Sequence, residues 1–144
     1  MKIIKATIQD LSEINKLNEK YFKEIRDFRK VIESDNDYFY VGVADNKVVG
    51  FSGFHYYAWN NSAAIIDIFI KPSFRRKGYA SKFIKKIVIN AKKLKARVII
   101  AEAPSLNNVL KVYIKNGFRV CGYNERYYSN IGKEIAIFLS LDLD

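Results

Sequence analysis

The sequence predicts a mixed α/β (α+β) domain of about six or seven strands and about four helices, and three observations lead there. Short runs rich in Ile, Val, Phe and Tyr recur along the chain, each closed by turn residues. Between them lie stretches whose apolar residues return at helical spacing, with stop signals such as Asn116-Gly117 behind them. No repeat, low-complexity tract or Gly/Ser/Pro-rich linker divides the chain, so residues 1–144 read as a single domain.

Taken in order, residues 2–8 alternate as a strand does. Asp10 is placed to cap a helix in which Leu11, Ile14, Leu17, Tyr21, Phe22 and Ile25 recur on one face. A second helical stretch runs on to about Glu33. After the turn residues Asp35-Asn36-Asp37 come strands at 38–44 and 47–57, joined by Asp45-Asn46 as a hairpin. Residues 63–70 form a third strand of this group and end at Lys71-Pro72, where proline suits a strand end. A glycine-containing loop at 75–80 leads into a helix to about Leu94, with Phe83, Ile84, Ile87, Val88, Ala91 and Leu94 as its apolar stripe. Residues 97–103 are a buried-type strand stopped by Pro104. Asn107 or Asn108 starts a helix that reaches Lys115 and stops at Asn116-Gly117. Closing strands at 119–126 and 134–141 flank a turn at Ser129-Asn130-Ile131-Gly132.

Composition excludes several classes. No apolar run approaches the roughly 18 residues of a membrane span, and no signal-peptide block follows Met1. Cys121 is the only cysteine, which rules out an intrachain disulfide and points to the cytoplasm. With His55 as the only histidine, a zinc site is not expected, nor any other metal. The net charge is +10, and its placement matters more than its size. Eleven basic residues fall between Lys71 and Arg97, with no acid from Ile68 to Ala101. Such a segment is either a solvated lysine face or the seat of an anionic ligand.

The loop Arg75-Arg76-Lys77-Gly78-Tyr79-Ala80 has what pyrophosphate binding requires. A helix start presents N–H groups without intrahelical partners and carries partial positive charge. Gly78 lets a phosphate approach the backbone, and Ala80 stays small one turn on. Ser81 adds a hydroxyl, and Arg75, Arg76 and Lys77 add charge around the rim. It is not a Walker loop, because no Gly-Lys-Ser/Thr follows, and it lacks the three glycines of the dinucleotide fingerprint.

This loop and the strand before it, Asp67-Ile68-Phe69-Ile70-Lys71-Pro72, resemble the GNAT N-acetyltransferase superfamily, whose motif is Gln/Arg-x-x-Gly-x-Gly/Ala after a β-strand. The element order read above is also the family's order, and the resemblance is strongest from about Val48 to Gly122. It implies a mostly antiparallel sheet with splayed central strands, and acetyl-CoA as donor. Ile68, Phe69 and Ile70 would then line the pantetheine arm, with the backbone of Ile68 and Ile70 pairing with it. Arg75, Arg76, Lys77, Gly78, Tyr79, Ala80 and Ser81 would surround the pyrophosphate. A second stretch, residues 107–118, resembles the family's Asn-x-x-Ala-x-x-x-Tyr-x-x-x-Gly-Phe segment. Tyr113 and Gly117-Phe118 are in register, whereas Asn107 stands one residue too close, so the CoA contact of Asn107 or Asn108 depends on a local deletion.

The chemistry of amine acylation asks for two further groups. A departing thiolate needs a proton, which the hydroxyl of Tyr113 can supply. The attacking amine must be neutral, so a carboxylate or an ordered water nearby is expected. Asp67 and Glu102 are the candidates; Asp67, by alternation, faces away from Ile66 and Ile68, toward the side of Phe69 and Lys71. A carboxylate inside an apolar strand needs a partner, and a buried ion pair to a lysine is the competing reading. His55, in an aromatic strand, reads as packing.

The Tyr127-Tyr128 pair ahead of Gly132 resembles the closing hairpin of the protein N-terminal acetyltransferase branch, which implies that these tyrosines contact the acceptor. The expected acceptor is thus a primary amine, a protein N-terminus or lysine slightly ahead of a small amine, on a monomer or homodimer. A nucleic-acid module using the 71–97 stretch is the rival, but it calls for interleaved aromatics and gives residues 107–118 no role.

Overall fold

The computed structural model describes residues 1–144. One seven-stranded sheet runs through the molecule in the order β1-β2-β3-β4-β5-β7-β6. Its strands are β1 (Lys2–Lys5), β2 (Asp37–Ala44), β3 (Lys47–Tyr57), β4 (Ser62–Ile70), β5 (Val98–Pro104), β6 (Arg119–Asn124) and β7 (Ala136–Asp142). Every neighbouring pair is antiparallel except β4 with β5. The helices are α1 (Leu11–Tyr21), α2 (Phe28–Glu33), α3 (Tyr79–Lys93) and α4 (Val109–Lys115). The predicted class and element order are those observed.

Two cores, one on each face of the sheet, follow from the helical stripes. α3 delivers Phe83, Ile84, Ile87 and Ala91 to a cluster shared with Phe54, Ile99, Leu139 and, from α4, Tyr113. Each of the Phe, Ile and Leu side chains contributes about 1.5–3 kcal/mol when removed from water. On the opposite face, Ile14 of α1 and Phe28 of α2 pack on Phe39, Val41, Phe51 and Phe69. The β2–β3 hairpin turns where Asp45 and Asn46 both adopt positive φ, 50° and 58°, the conformation two-residue hairpin turns need.

Four expectations are corrected. β1 stops at Lys5, because Thr7 and Asp10 close a box around a 3-10 turn at Ile8–Asp10. The Asp10 carboxylate accepts the Thr7 N–H at 2.7 Å and so looks backward instead of capping α1. α1 ends at Tyr21, and Ile25 is fully exposed in the connection to α2 rather than on the apolar stripe. Asn18 holds that connection by donating to the Glu24 carbonyl at 2.8 Å. In β4, a bulge opposite Gly53/Phe54 breaks the alternation. Ile66 therefore packs with Phe69 in the second core, while Ile65 and Ile68 belong to the first.

Candidate active site

The site begins where two strands part. β4 and β5 pair only from Ser62–Ala64 to Val98–Ile100. Beyond that, β4 follows β3 through Ile70, and β5 follows β7 through Pro104. The bulge in β4 supplies the bend. In an antiparallel ladder, alternate residues turn their N–H and C=O to opposite edges. Lys71 donates to the Val49 carbonyl at 2.8 Å, so Phe69 also faces β3, while Ile68 and Ile70 turn theirs to the open edge. One group there is already engaged: Arg75 Nε donates to the Ile70 carbonyl at 2.8 Å.

The loop at the end of β4 is a cradle of open donors. Arg76 and Gly78 take positive φ, 60° and 75°, and Gly78 occupies the N-cap of α3 without a capping side chain. Alternating conformations of this kind turn successive N–H groups toward one point. No N–H from Arg76 to Ser81 finds an acceptor within the chain, and the α3 ladder begins with Lys82 donating to Gly78. A Cβ built on Gly78 meets nothing within 4 Å, so open space adjoins the donors. Arg76 and Lys77 are exposed beside it and form no ion pair. Ser81 Oγ accepts from Asn116 Nδ2 at 2.9 Å. This donor set fits a pyrophosphate.

The second stretch has a structural reason for its spacing. α4 ends in a Schellman cap: Phe118 N–H bonds to the Tyr113 carbonyl, and Gly117 N–H to that of Ile114. Gly117 supplies φ of 91°, and the Phe118 ring packs on Tyr113 with centroids 5.1 Å apart. At the other end Asn107 Oδ1 accepts the Val109 N–H at 2.9 Å, so Asn107 starts the helix while Asn108 offers no capping bond. Both asparagines are exposed.

Tyr113 is 2% exposed, yet its hydroxyl forms no hydrogen bond in the chain and is not one of the sealed polar atoms. It therefore reaches open space. Burial raises its pKa far above the ordinary tyrosine value, with Glu102 and Asp67 adding to the shift, so Tyr113 lies within electrostatic reach of both carboxylates. The two carboxylates differ in their partners. Asp67 is gripped by both terminal nitrogens of Arg26, a bidentate pair, and its backbone carbonyl accepts from Ser52 Oγ at 2.6 Å. Burial pushes the Asp67 carboxyl up while Arg26 opposes it, and the contact with Asp67 raises the Arg26 guanidinium in turn. The competing ion-pair reading of Asp67 thus finds its partner in an arginine, where a lysine was expected.

Glu102 is half-buried and accepts a hydrogen bond from the Tyr128 hydroxyl. Burial and this bond raise the Tyr128 pKa. Tyr127 stacks edge-on to Tyr128 and to Phe138, at 5.2 and 5.9 Å. The structure therefore joins one proposed proton acceptor to the two proposed acceptor-contacting tyrosines. His55 is apart from this group: its Nδ1 meets Asp37 at 2.7 Å and its ring packs on Tyr57. No cluster of His, Cys, Asp or Glu suited to a metal ion exists, and no helix is long and apolar enough to cross a membrane. Two residues were missed by sequence reasoning. Arg26 sits in an irregular connection that no periodicity marks, and Asn116 reads from sequence only as a helix stop.

Diverging strands with open backbone groups, ending at a basic cradle of N–H groups, match in shape and chemistry a ligand with an amide-bearing arm and a phosphorylated end. Known proteins agree with that class: residues 7–118 match the model of the acetyltransferase (GNAT) family, and the chain belongs to it. Streptothricin acetyltransferase of Streptomyces lavendulae is 27% identical over 112 residues, which are 76% of this chain and 59% of that protein. This chain thus spans less than two thirds of that relative. A candidate streptothricin acetyltransferase from Bacillus anthracis, solved in complex with acetyl coenzyme A, aligns with TM-score 0.76 and 28% identity over 86% of this chain and 72% of that one. The ribosomal-protein-S18-alanine N-acetyltransferase of Escherichia coli shares the fold at TM-score 0.85 and 16% identity, over 99% and 94% of the two chains.

Proposed function

We propose that this chain is an acetyl-CoA-dependent N-acetyltransferase acting on a primary amine, with a small amine-bearing molecule as the acceptor. The observation that carries the reading is the gap between β4 and β5 with the open N–H cradle of residues 76–81 at its end. Acetyl-CoA, when bound, supplies the acetyl group as a thioester that a neutral amine can attack. The cradle, with Arg75, Arg76, Lys77 and Ser81, holds the phosphates. Ile68 and the N–H of Ile70 face the amide arm, the Ile70 carbonyl being held by Arg75, and Phe69 keeps the strand seated on the second core. Tyr113, held protonated by its burial, gives its hydroxyl proton to the departing sulfur. Glu102 takes the proton released by the amine as the new N–C bond forms and the C–S bond breaks. Asp67, with both oxygens on Arg26, serves in this reading to fix the α1–α2 connection beside the gap.

Support for a small acceptor comes from the streptothricin acetyltransferases, which are nearer in sequence than the fold-level neighbours. A peptide acceptor keeps one argument, the Tyr127-Tyr128 pair beside Glu102. A panel of small polyamines, amino sugars, lysine-containing compounds and peptide N-termini, offered with labelled acetyl-CoA, tests the proposal. Label in a small amine is expected; label confined to peptides overturns the small-acceptor reading, and label in nothing overturns the activity.

A further inference from the structure

Asn116 is the C-cap residue of α4, and its amide carries two donors, both of which can be accounted for. Nδ2 donates to the Val112 carbonyl at 2.8 Å and to Ser81 Oγ at 2.9 Å. Both N–H bonds are thereby engaged, and Ser81 Oγ can only be the acceptor in its contact. The Ser81 proton must then point elsewhere. A helical serine can return it to the carbonyl four residues back, which here is Lys77, but Ser81 forms no such bond. Its hydroxyl proton has no acceptor in the chain, and Ser81 stands in the first turn of α3 among the open N–H groups of residues 76–81.

We infer that Asn116 is a positioning residue for the donor substrate: by holding Ser81 Oγ as an acceptor, it aims the Ser81 hydroxyl proton into the phosphate cradle. The same amide ties the end of α4, three residues after Tyr113, to the start of α3. One side chain therefore joins the phosphate-binding helix start to the helix that carries the proton donor. The inference rests on the reading of residues 75–80 as a phosphate site and names an additional residue acting on it.

The test is calorimetric binding of acetyl-CoA to Asn116→Leu, Ser81→Ala and the double variant. Asn116→Leu matches the shape of the amide without its donors, and Asn116→Ala serves as a second variant should the first fail to fold. Loss of one hydrogen bond to a charged group predicts a roughly ten- to hundredfold weaker Kd for Ser81→Ala and roughly three- to tenfold for Asn116→Leu, where the hydroxyl remains but is no longer aimed. The double variant should bind no more weakly than Ser81→Ala, because the two changes remove one interaction. With S-acetylpantetheine, which lacks the pyrophosphate, any fall in kcat/KM should be smaller in every variant than its loss of acetyl-CoA affinity. Unchanged acetyl-CoA binding in Asn116→Leu, a loss that persists on the Ser81→Ala background, or an equal loss with S-acetylpantetheine each overturns the inference. Failure of the wild type to bind acetyl-CoA at all is a different result, and it removes the proposed function instead.

Discussion

Replacing Gly78 by valine separates the two demands placed on that position. Gly78 sits at φ of 75°, where a β-branched residue costs roughly 1–2 kcal/mol. The new Cβ itself meets nothing within 4 Å, so the cost is that of the backbone conformation and of the valine methyls against their own chain. The fold should therefore survive, with a Tm lowered by about 3–8 °C. Binding should suffer more. The side chain enters the space onto which the N–H groups of Arg76 to Ser81 open. Displacing a phosphate from two charge-assisted bonds, at about 1.5–3 kcal/mol each, weakens Kd roughly 150- to 25,000-fold. Gly78→Asn is the control, because asparagine tolerates positive φ while still filling the cradle. It should keep most of the Tm and lose binding almost as completely. Calorimetry gives Kd, and thermal unfolding followed by circular dichroism gives Tm. Wild-type affinity in either variant, or a loss in Val that Asn does not share, would refute the reasoning.

Other expectations follow from the same geometry. Tyr113→Phe should bind acetyl-CoA with unchanged Kd and keep its stability, since the hydroxyl has no partner in the chain, while kcat falls about 100-fold; unchanged turnover removes Tyr113 from the chemistry. Burial raises the Tyr40 pKa to about 12, so the fold favours its neutral phenol. That contribution is complete below pH of about 10 and is lost as pH rises from there to about 12; urea midpoints should decline over this window, and less so in Tyr40→Phe. Arg26→Ala leaves the Asp67 carboxylate buried without its partner and should cost about 2–4 kcal/mol in urea unfolding; a loss near zero would mean the pair is not formed in solution. Added salt should raise the KM for acetyl-CoA severalfold, because the exposed Arg76 and Lys77 lack carboxylate partners; a flat response would take these charges out of binding.

What could be read from sequence was whatever has a local cause. The α3 stripe, the Asp45-Asn46 hairpin and the stop at Asn116-Gly117 follow from periodicity and turn chemistry, and the structure places all three as expected. Gly78 was legible as the residue whose missing Cβ lets a phosphate approach a helix start, whereas its positive φ came only with the structure. Contacts across the fold were not legible. Arg26 reaches Asp67 from 41 residues away, and Tyr128 reaches Glu102 from 26. Neither separation carries a pattern, since tertiary packing alone brings the partners together. The bulge in β4 was hidden too, because an unpaired residue in an Ile-rich strand looks like any other. Residue types thus pointed to the cradle and to Tyr113, while the different partners of Asp67 and Glu102, Arg26 and Tyr128, came only with the structure.

Amide hydrogen exchange with and without acetyl-CoA tests the central claim most directly, because it reports where the donor sits. The open N–H groups of Arg76 to Ser81, together with those of Ile68 and Ile70 on the free edge of β4, should exchange more slowly in the presence of the cofactor. The α1–α2 face of the sheet should show little change. Protection absent from residues 68–81, or confined to the other face, would contradict the account.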